Sequence, residues 1–373
     1  MSSAERMGEG IGLDMAEDRE DYILNKDHLF YWLRQLRKTA ELIAPKRELS
    51  GEITFTTVVN IHDIALNYTA PILSTKHILF PQTDIMFKYS LKVPGKVQST
   101  FNARKKVVFG VPSCGISALL IADRVFGNGY TDLYYFARRK NTIFVSIGCN
   151  NPLQTCFCYS LGTGPFLDHG FDIQLTDLGD RYFVQTGTDA GKTIIMQYRF
   201  LFDEADKEDY DDQYETMLTA QSKFEGRIDL ELYRKKLENG QINEAFYEWT
   251  ADRCFECGGC TYLCPLCLCF NIIDVEETAK SVTPEKSKDF LKTPSGERFR
   301  IWDSCMFAGF TKMAGGVNPH WNKKDRIKRW HYHKILYYPE KYNVFGCVGC
   351  GLCTITCPGK IDMANTVIRI KNL

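Results

Sequence analysis

Two cysteine runs of identical spacing constrain this chain more than any other feature. Cys254, Cys257, Cys260 and Cys264-Pro265 spell C-x2-C-x2-C-x3-C-P, and Cys347, Cys350, Cys353 and Cys357-Pro358 spell it again. Three thiolates separated by two residues can wrap three corners of one [4Fe–4S] cube, while the fourth, held away by the following proline, reaches a neighbouring cube. Exchange of fourth ligands puts Cys254, Cys257, Cys260 and Cys357 on cluster 1. It puts Cys347, Cys350, Cys353 and Cys264 on cluster 2. Zinc knuckles also use C-x2-C pairs, but zinc needs four ligands per ion and gives no reason for a third step and a C-P, repeated twice. The glycines of "CGGC" and "CVGCGLC" let backbone N–H groups approach the sulfurs. Two linked cubanes in one small domain make a wire for single electrons.

The remaining composition agrees with such a role. Fifteen cysteines in 373 residues, read as a cytosolic chain, point to metal binding or redox chemistry rather than disulfides. The 46 basic and 46 acidic residues cancel, which argues against a general nucleic-acid or membrane-surface binder. No apolar run approaches the roughly eighteen residues of a membrane span. The acidic N-terminus lacks the apolar core of a secretory signal, so residues 1–26 read as a flexible acidic tail and the protein as cytoplasmic.

The expected fold is α+β and multidomain. An N-terminal α/β domain, 27–202, carries a βαβ unit. A helical linker and a mostly helical dicluster ferredoxin-like domain occupy 203–373. Residues 27–43 read as an amphipathic helix ended by Ala44-Pro45, and "EITFTTVV" (52–59) as a strand. "KKVVFGVP" (105–112), "GISALLIADRVF" (115–126) and "NTIFVSIGC" (141–149) read as strand, helix and parallel strand. "FDIQLTDLGDRYFVQTG" (171–187) reads as a hairpin turning at Leu178–Asp180. Residues 203–237 are charged and helical, with the domain boundary near 203–225.

Both strands of a parallel pair end at the same sheet edge, where open α/β sheets build their sites. Cys114 opens the helix after the first strand, Cys149 ends the second, and Cys156 and Cys158 lie in the loop beyond. The four can converge on a third [4Fe–4S] cluster, favoured by the helix N-terminus at Cys114. The alternative is that one or two are buried apolar cysteines.

Three cysteines stay unassigned. Cys267, Cys269 and Cys305 are one short of a cubane set. They read as packing residues, the other choice being iron binding with His320, His331 or His333. "GTDAGKT" (187–193) resembles a phosphate-binding loop, but Thr186 stands where glycine is needed, and "IIMQYRF" reads as strand rather than the required helix. No dinucleotide fingerprint follows any strand. The basic stretch "NKKDRIKRWHYHK" (322–334) reads as a docking face for an acidic redox partner or a solvated helix, ahead of a nucleic-acid surface.

The segments "FGVPSCG", "DLYYFARRKNTIFVSIGCNNPLQTCFCYSLGTGP", "CGGCTYLCPLCLCF", "WDSCMFAGFTKMAGG" and "CVGCGLCTITCPGKID" resemble a family of iron–sulfur electron-transfer subunits. It comprises the β subunit of soluble sulfhydrogenases and the A subunit of anaerobic sulfite reductase. The resemblance runs over residues 27–373. Where that family often has a P-C-D triplet, this chain has Ser113-Cys114-Gly115. The resemblance implies a non-catalytic subunit of anaerobic metabolism, relaying electrons between a flavin- and nicotinamide-binding subunit and a catalytic partner such as a hydrogenase or sulfite reductase. The rival is a catalytic subunit in which Cys114, Cys149, Cys156 and Cys158 act on a sulfur-containing substrate.

Overall fold

Strand β6 (Lys106–Pro112) and strand β7 (Thr142–Ile147) run parallel and in register in the computed structural model, which describes residues 21–68, 70–90, 96–100, 104–226, 228–276 and 295–371. Their crossover holds the expected helix, Ser113–Gly127, and a shorter one, Leu133–Lys140, capped by the Asp132 side chain. The first helix is apolar almost all round because nearly all of it is buried; Asp123 is satisfied by Arg139 and the Tyr135 hydroxyl. That accounts for its narrow polar stripe.

These two strands are the centre of an eight-stranded sheet. On one side of the pair lies β2 (Glu41–Arg47), parallel to β6, and then β3 (Ile53–Thr57), antiparallel at the edge. On the other side lie β8 (Ile173–Asp177), β9 (Arg181–Thr186), β1 (Tyr22–Asn25) and β10 (Phe202–Glu204). The hairpin turn falls at Leu178–Asp180, as its Gly-Asp signal requires. Trp32, Leu33 and Leu36 of the helix Lys26–Thr39 cover one face of this sheet, and Ile116, Leu119 and Phe126 of the crossover helix cover the other.

Several expectations shift. The first helix ends at Thr39, and Pro45 sits inside β2. A proline without N–H is tolerated there because β6 pairs with β2 only through Ile43 and then bulges at Gly110. At Gly110 a side chain would press on the Pro45 ring at 3.0 Å, so the bulge glycine makes room for the proline. Tyr22–Asn25 pairs with β9 and β10, so the expected tail is ordered from the strand onward; residues 1–20 lie outside the described residues. Asp189–Gln197 is a helix, not a strand, capped by Thr188 onto the Gly191 N–H. Gly187 and Gly191 lack side chains because a Cβ at either would strike the backbone of Phe171 or Asp172. Packing against that segment explains the "GTDAG" sequence.

A second sheet joins the two halves of the chain. Strands β4 (Thr83–Ser90) and β5 (Lys96–Ser99) belong to the N-terminal half, β11 (Phe270–Glu276) and β12 (Ser295–Trp302) to the C-terminal half. They line up β11-β12-β4-β5, all antiparallel. Opposite charges face each other across the strands: Lys88 with Glu297 at 2.8 Å, and Arg298 with Asp274 at 2.7 Å. At the inner end Arg300, 1% exposed, bonds Asp84 at 2.9 Å and also Asp132, while Arg138 bonds the other side of Asp84. The expected boundary at 202/203 is therefore crossed by shared strands. The helix Lys207–Ser222 is tied back by Arg181 to Asp209 and Asp212, and its outer face is solvated.

Helices Leu230–Glu238, Glu244–Arg253, Lys323–Tyr332 and Met363–Lys371 build the second core around the two thiol runs. No helix among the described residues is long and apolar enough to cross a membrane.

Candidate metal centres

All fifteen cysteines are unpaired. Twelve of them line three cavities that are partly open to solvent. Among the described residues no group of three or more His, Cys, Asp or Glu is gathered tightly enough to hold a single metal ion. The thiols stand around spaces that suit a multi-atom group.

The outer cavity is lined by Cys254, Cys257, Cys260 and Cys357. The central one is lined by Cys264, Cys347, Cys350 and Cys353, with Cys260 also on its wall. With Cys260 counted among the outer thiols, each cavity draws three cysteines from one run and the C-P cysteine from the other. Both runs fold alike. Glu256 and Gly258 in the first, Gly349 and Gly351 in the second, take left-handed φ between 56° and 72°, curling the loop so that its thiols point inward. Backbone N–H groups two residues on donate to sulfur at 3.4 Å in both: Glu256 to Cys254, and Gly349 to Cys347; Leu266 does the same to Cys264. Such bonds stabilise thiolates. Glu256 is the non-glycine member of the pattern, and its carboxylate is held by the buried Arg326 guanidinium.

The third cavity is lined by Cys114, Cys149, Cys156 and Cys158, with Cys350 on its inner wall. It lies at the carboxyl ends of β6 and β7. Cys114 is the second residue of the crossover helix, and the Cys149 N–H bonds Pro165 O. A side chain at Gly115 would crowd strand β6, since its Cβ would meet Val111 Cγ1 at 2.9 Å. The alternative of plain packing cysteines fits less well, because all four line one cavity.

The cavities form a row. Third and central share Cys350 and Pro265; central and outer share Cys260 and Trp330; third and outer share no lining residue. The first junction is close-fitted: the Phe157 N–H bonds Gly349 O at 2.8 Å, and the Cys156 thiol approaches Cys350 O at 3.6 Å. A Cβ on Gly349 would lie 2.5 Å from Cys158 N. Gly349→Ala is therefore expected to cost roughly 1–2 kcal/mol for the left-handed backbone alone, with the collision added, and to strip iron from the third cavity. Gly240→Ala is the control, since Gly240 has φ +64° but open space around it. Denaturant midpoints and iron content check both.

Electrostatics and orphaned atoms test the fit to iron–sulfur groups. Burial pushes Cys149 and Cys347 up to about 11 and Cys353 to about 12, so thiol protons must leave when metal binds. Cys264 is held well below the ordinary thiol range, first by a hydrogen bond from the Cys267 thiol and then by Lys334, whose Nζ lies 3.3 Å from its sulfur. Several buried polar atoms on the cavity walls have no partner: Ser74 Oγ on the third, Trp330 Nε1 on the central and outer, His331 Nδ1 on the outer. Leaving such atoms unsatisfied costs about 1–3 kcal/mol each, which acceptor sulfides would relieve. The donor sets and the orphans fit three [4Fe–4S] groups.

Of the three unassigned cysteines, Cys267 lies beside the central thiol Cys264, and Cys305 lies near Cys260 and Cys269. Cys267 bonds Cys264, and Cys305 is buried. His331 lines the outer cavity rather than joining them, and His333 packs on Tyr338. Spacing gave no sign of Ser74 or Lys76. Lys76 is 5% exposed and donates to Thr261 O and Cys267 O, fastening the N-terminal half to the first thiol run. In the basic stretch Lys323 and Arg326 share Glu256, and Lys324 and Lys328 share Glu244, so four of its cations have partners within the chain, and Arg326, Ile327 and Trp330 are buried.

The 4Fe-4S dicluster domain family matches residues 253–361, a span that contains both thiol runs. Over 348 residues, 93% of this chain and 97% of the relative, the sequence is 30% identical to Sulfhydrogenase 2 subunit beta of Pyrococcus furiosus. With that likeness over nearly its whole length and its thiol cavities, the chain belongs to the sulfhydrogenase β-subunit family of [4Fe–4S] electron-transfer proteins.

Proposed function

We propose that this chain is a three-centre conduit of a cytoplasmic oxidoreductase complex. Cys254, Cys257, Cys260 and Cys357 hold the outer cluster, Cys264, Cys347, Cys350 and Cys353 the central one, and Cys114, Cys149, Cys156 and Cys158 the third. A bound [4Fe–4S] group supplies one-electron storage and transfer. The chain's own residues hold the thiolates, exclude water with the apolar walls of the second core, and keep neighbouring centres adjacent through Cys350, Cys260 and Trp330. The row of cavities, each sharing residues only with the next, carries the proposal.

A linear row has two ends, and each end suits a different partner. One is a flavin- and nicotinamide-binding subunit. The other is a catalytic subunit, a hydrogenase or a sulfite reductase. The outer cavity reaches the surface at the exposed Cys257 and Phe255, and the half-buried Ala70 and Pro152 line the third.

The rival, a sulfur-substrate site at the third cavity, makes a different prediction for the isolated chain. Reduced anaerobically, the chain should give up electrons to one-electron carriers and turn over neither sulfite nor a disulfide. Turnover lost on Cys149→Ala would overturn the conduit reading.

A further inference from the structure

The helix Lys323–Tyr332 continues into the π-helical turn His333–Tyr337, a geometry that frequently marks functional positions. Together they aim polar groups at two cavities unequally. Lys334 lines only the central cavity, His331 only the outer one, and Trp330 lines both. Lys334 is 4% exposed, and its Nζ donates to Gly346 O at 2.7 Å and to Cys264 Sγ at 3.3 Å. Among the described residues no carboxylate pairs with it in the ion pairs of the fold. A second buried lysine, Lys76, anchors on Cys267 O and Thr261 O beside the same thiols.

The outer cavity is set differently. Among the described residues no lysine lines it; Asp362, 1% exposed and bonded to Thr354 and Asn365, lies on its wall but acts also on the central thiol Cys353. Among the described residues the cations near it include Arg253, which is exposed, and Lys323 and the buried Arg326, which both share their charge with Glu256.

Resting on the conduit reading, we propose that this helix sets the two clusters at different reduction potentials, the central above the outer, with Lys334 as the potential-setting residue. Reduction adds a negative charge to a cluster. A fixed ammonium at hydrogen-bond distance in a buried site favours the reduced form, and of these two cavities only the central one has a lysine on its wall. An electron crossing the row therefore meets a step between its outer and central positions.

Anaerobic redox titration of the full chain, followed by EPR, tests this. Of the two steps assigned by their loss on Cys357→Ala (outer) and Cys264→Ala (central), the outer should be the lower and the central the upper; the step lost on Cys149→Ala belongs to the third centre. Lys334→Met should move the upper step down, lowering its reduced-to-oxidised ratio at fixed potential by about tenfold, which is about 59 mV for one electron. Iron content and the lower step should not change, and Lys334→Arg should restore the upper step. Lys334→Gln, which keeps a donor without charge, serves if the Met variant binds less iron. An unchanged upper step with full iron content, or an equal shift of both steps, would overturn the proposal while leaving the conduit intact. A chain with no low-potential clusters would instead overturn the conduit.

Discussion

Substituting Cys357 by alanine should destroy the cluster of the other thiol run, and the clearest sign will be non-additivity. Cys357 lines the outer cavity with Cys254, Cys257 and Cys260, more than ninety positions upstream for each. Adding Cys254→Ala to Cys357→Ala should therefore cost no further cubane, because both remove ligands from one site. Adding Cys254→Ala to Cys264→Ala should remove a second, because Cys264 belongs to the central cavity. Residues acting as a unit couple in this way, and independent ones add. Iron content and low-temperature EPR read the outcome. The reverse pattern would mean that each run closes its own cluster.

Arg300→Met should be the most damaging substitution outside the cysteines. Arg300 is 1% exposed and joins Asp84 of β4 to Asp132, the cap of the helix Leu133–Lys140. Breaking a buried pair from one side leaves charge uncompensated and costs about 3–5 kcal/mol. Arg138 still bonds Asp84, which places the expected loss toward the lower end. The consequence should be regional, since this knot fastens β12 of the C-terminal half to β4 of the N-terminal half. Asp132→Asn in the Arg300→Met background should recover part of the stability, because Asp132 is the carboxylate left without Arg300 while Asp84 keeps Arg138. Denaturant unfolding of the anaerobic holoprotein checks both variants, and a loss below 1 kcal/mol would show that the knot is dispensable.

The thiol sites were legible because ligand spacing is local and the handedness of a βαβ unit is nearly fixed. Cys114 and Cys149 could be brought to one sheet edge from pattern alone, and Cys156 and Cys158 followed within a short loop. Pro45 misled because its strand depends on a bulge at Gly110, far along the chain. The apolar "IIMQ" run reads equally as strand or helix; the cap from Thr188 to Gly191 decides for helix. Lys76, Lys334 and Trp330 carry no motif. Their importance comes from burial beside thiols, a tertiary property. The pairing of β12 with β4 is equally nonlocal, which is why a domain boundary drawn from charge and helix pattern cut through a shared sheet.

The most direct measurement is the iron and acid-labile sulfide content of the anaerobically prepared full chain. Three cubane sites predict about twelve of each per chain, with Cys149→Ala plus Cys156→Ala removing about a third. About eight of each, unchanged in that double variant, would contradict the third centre and the row built on it.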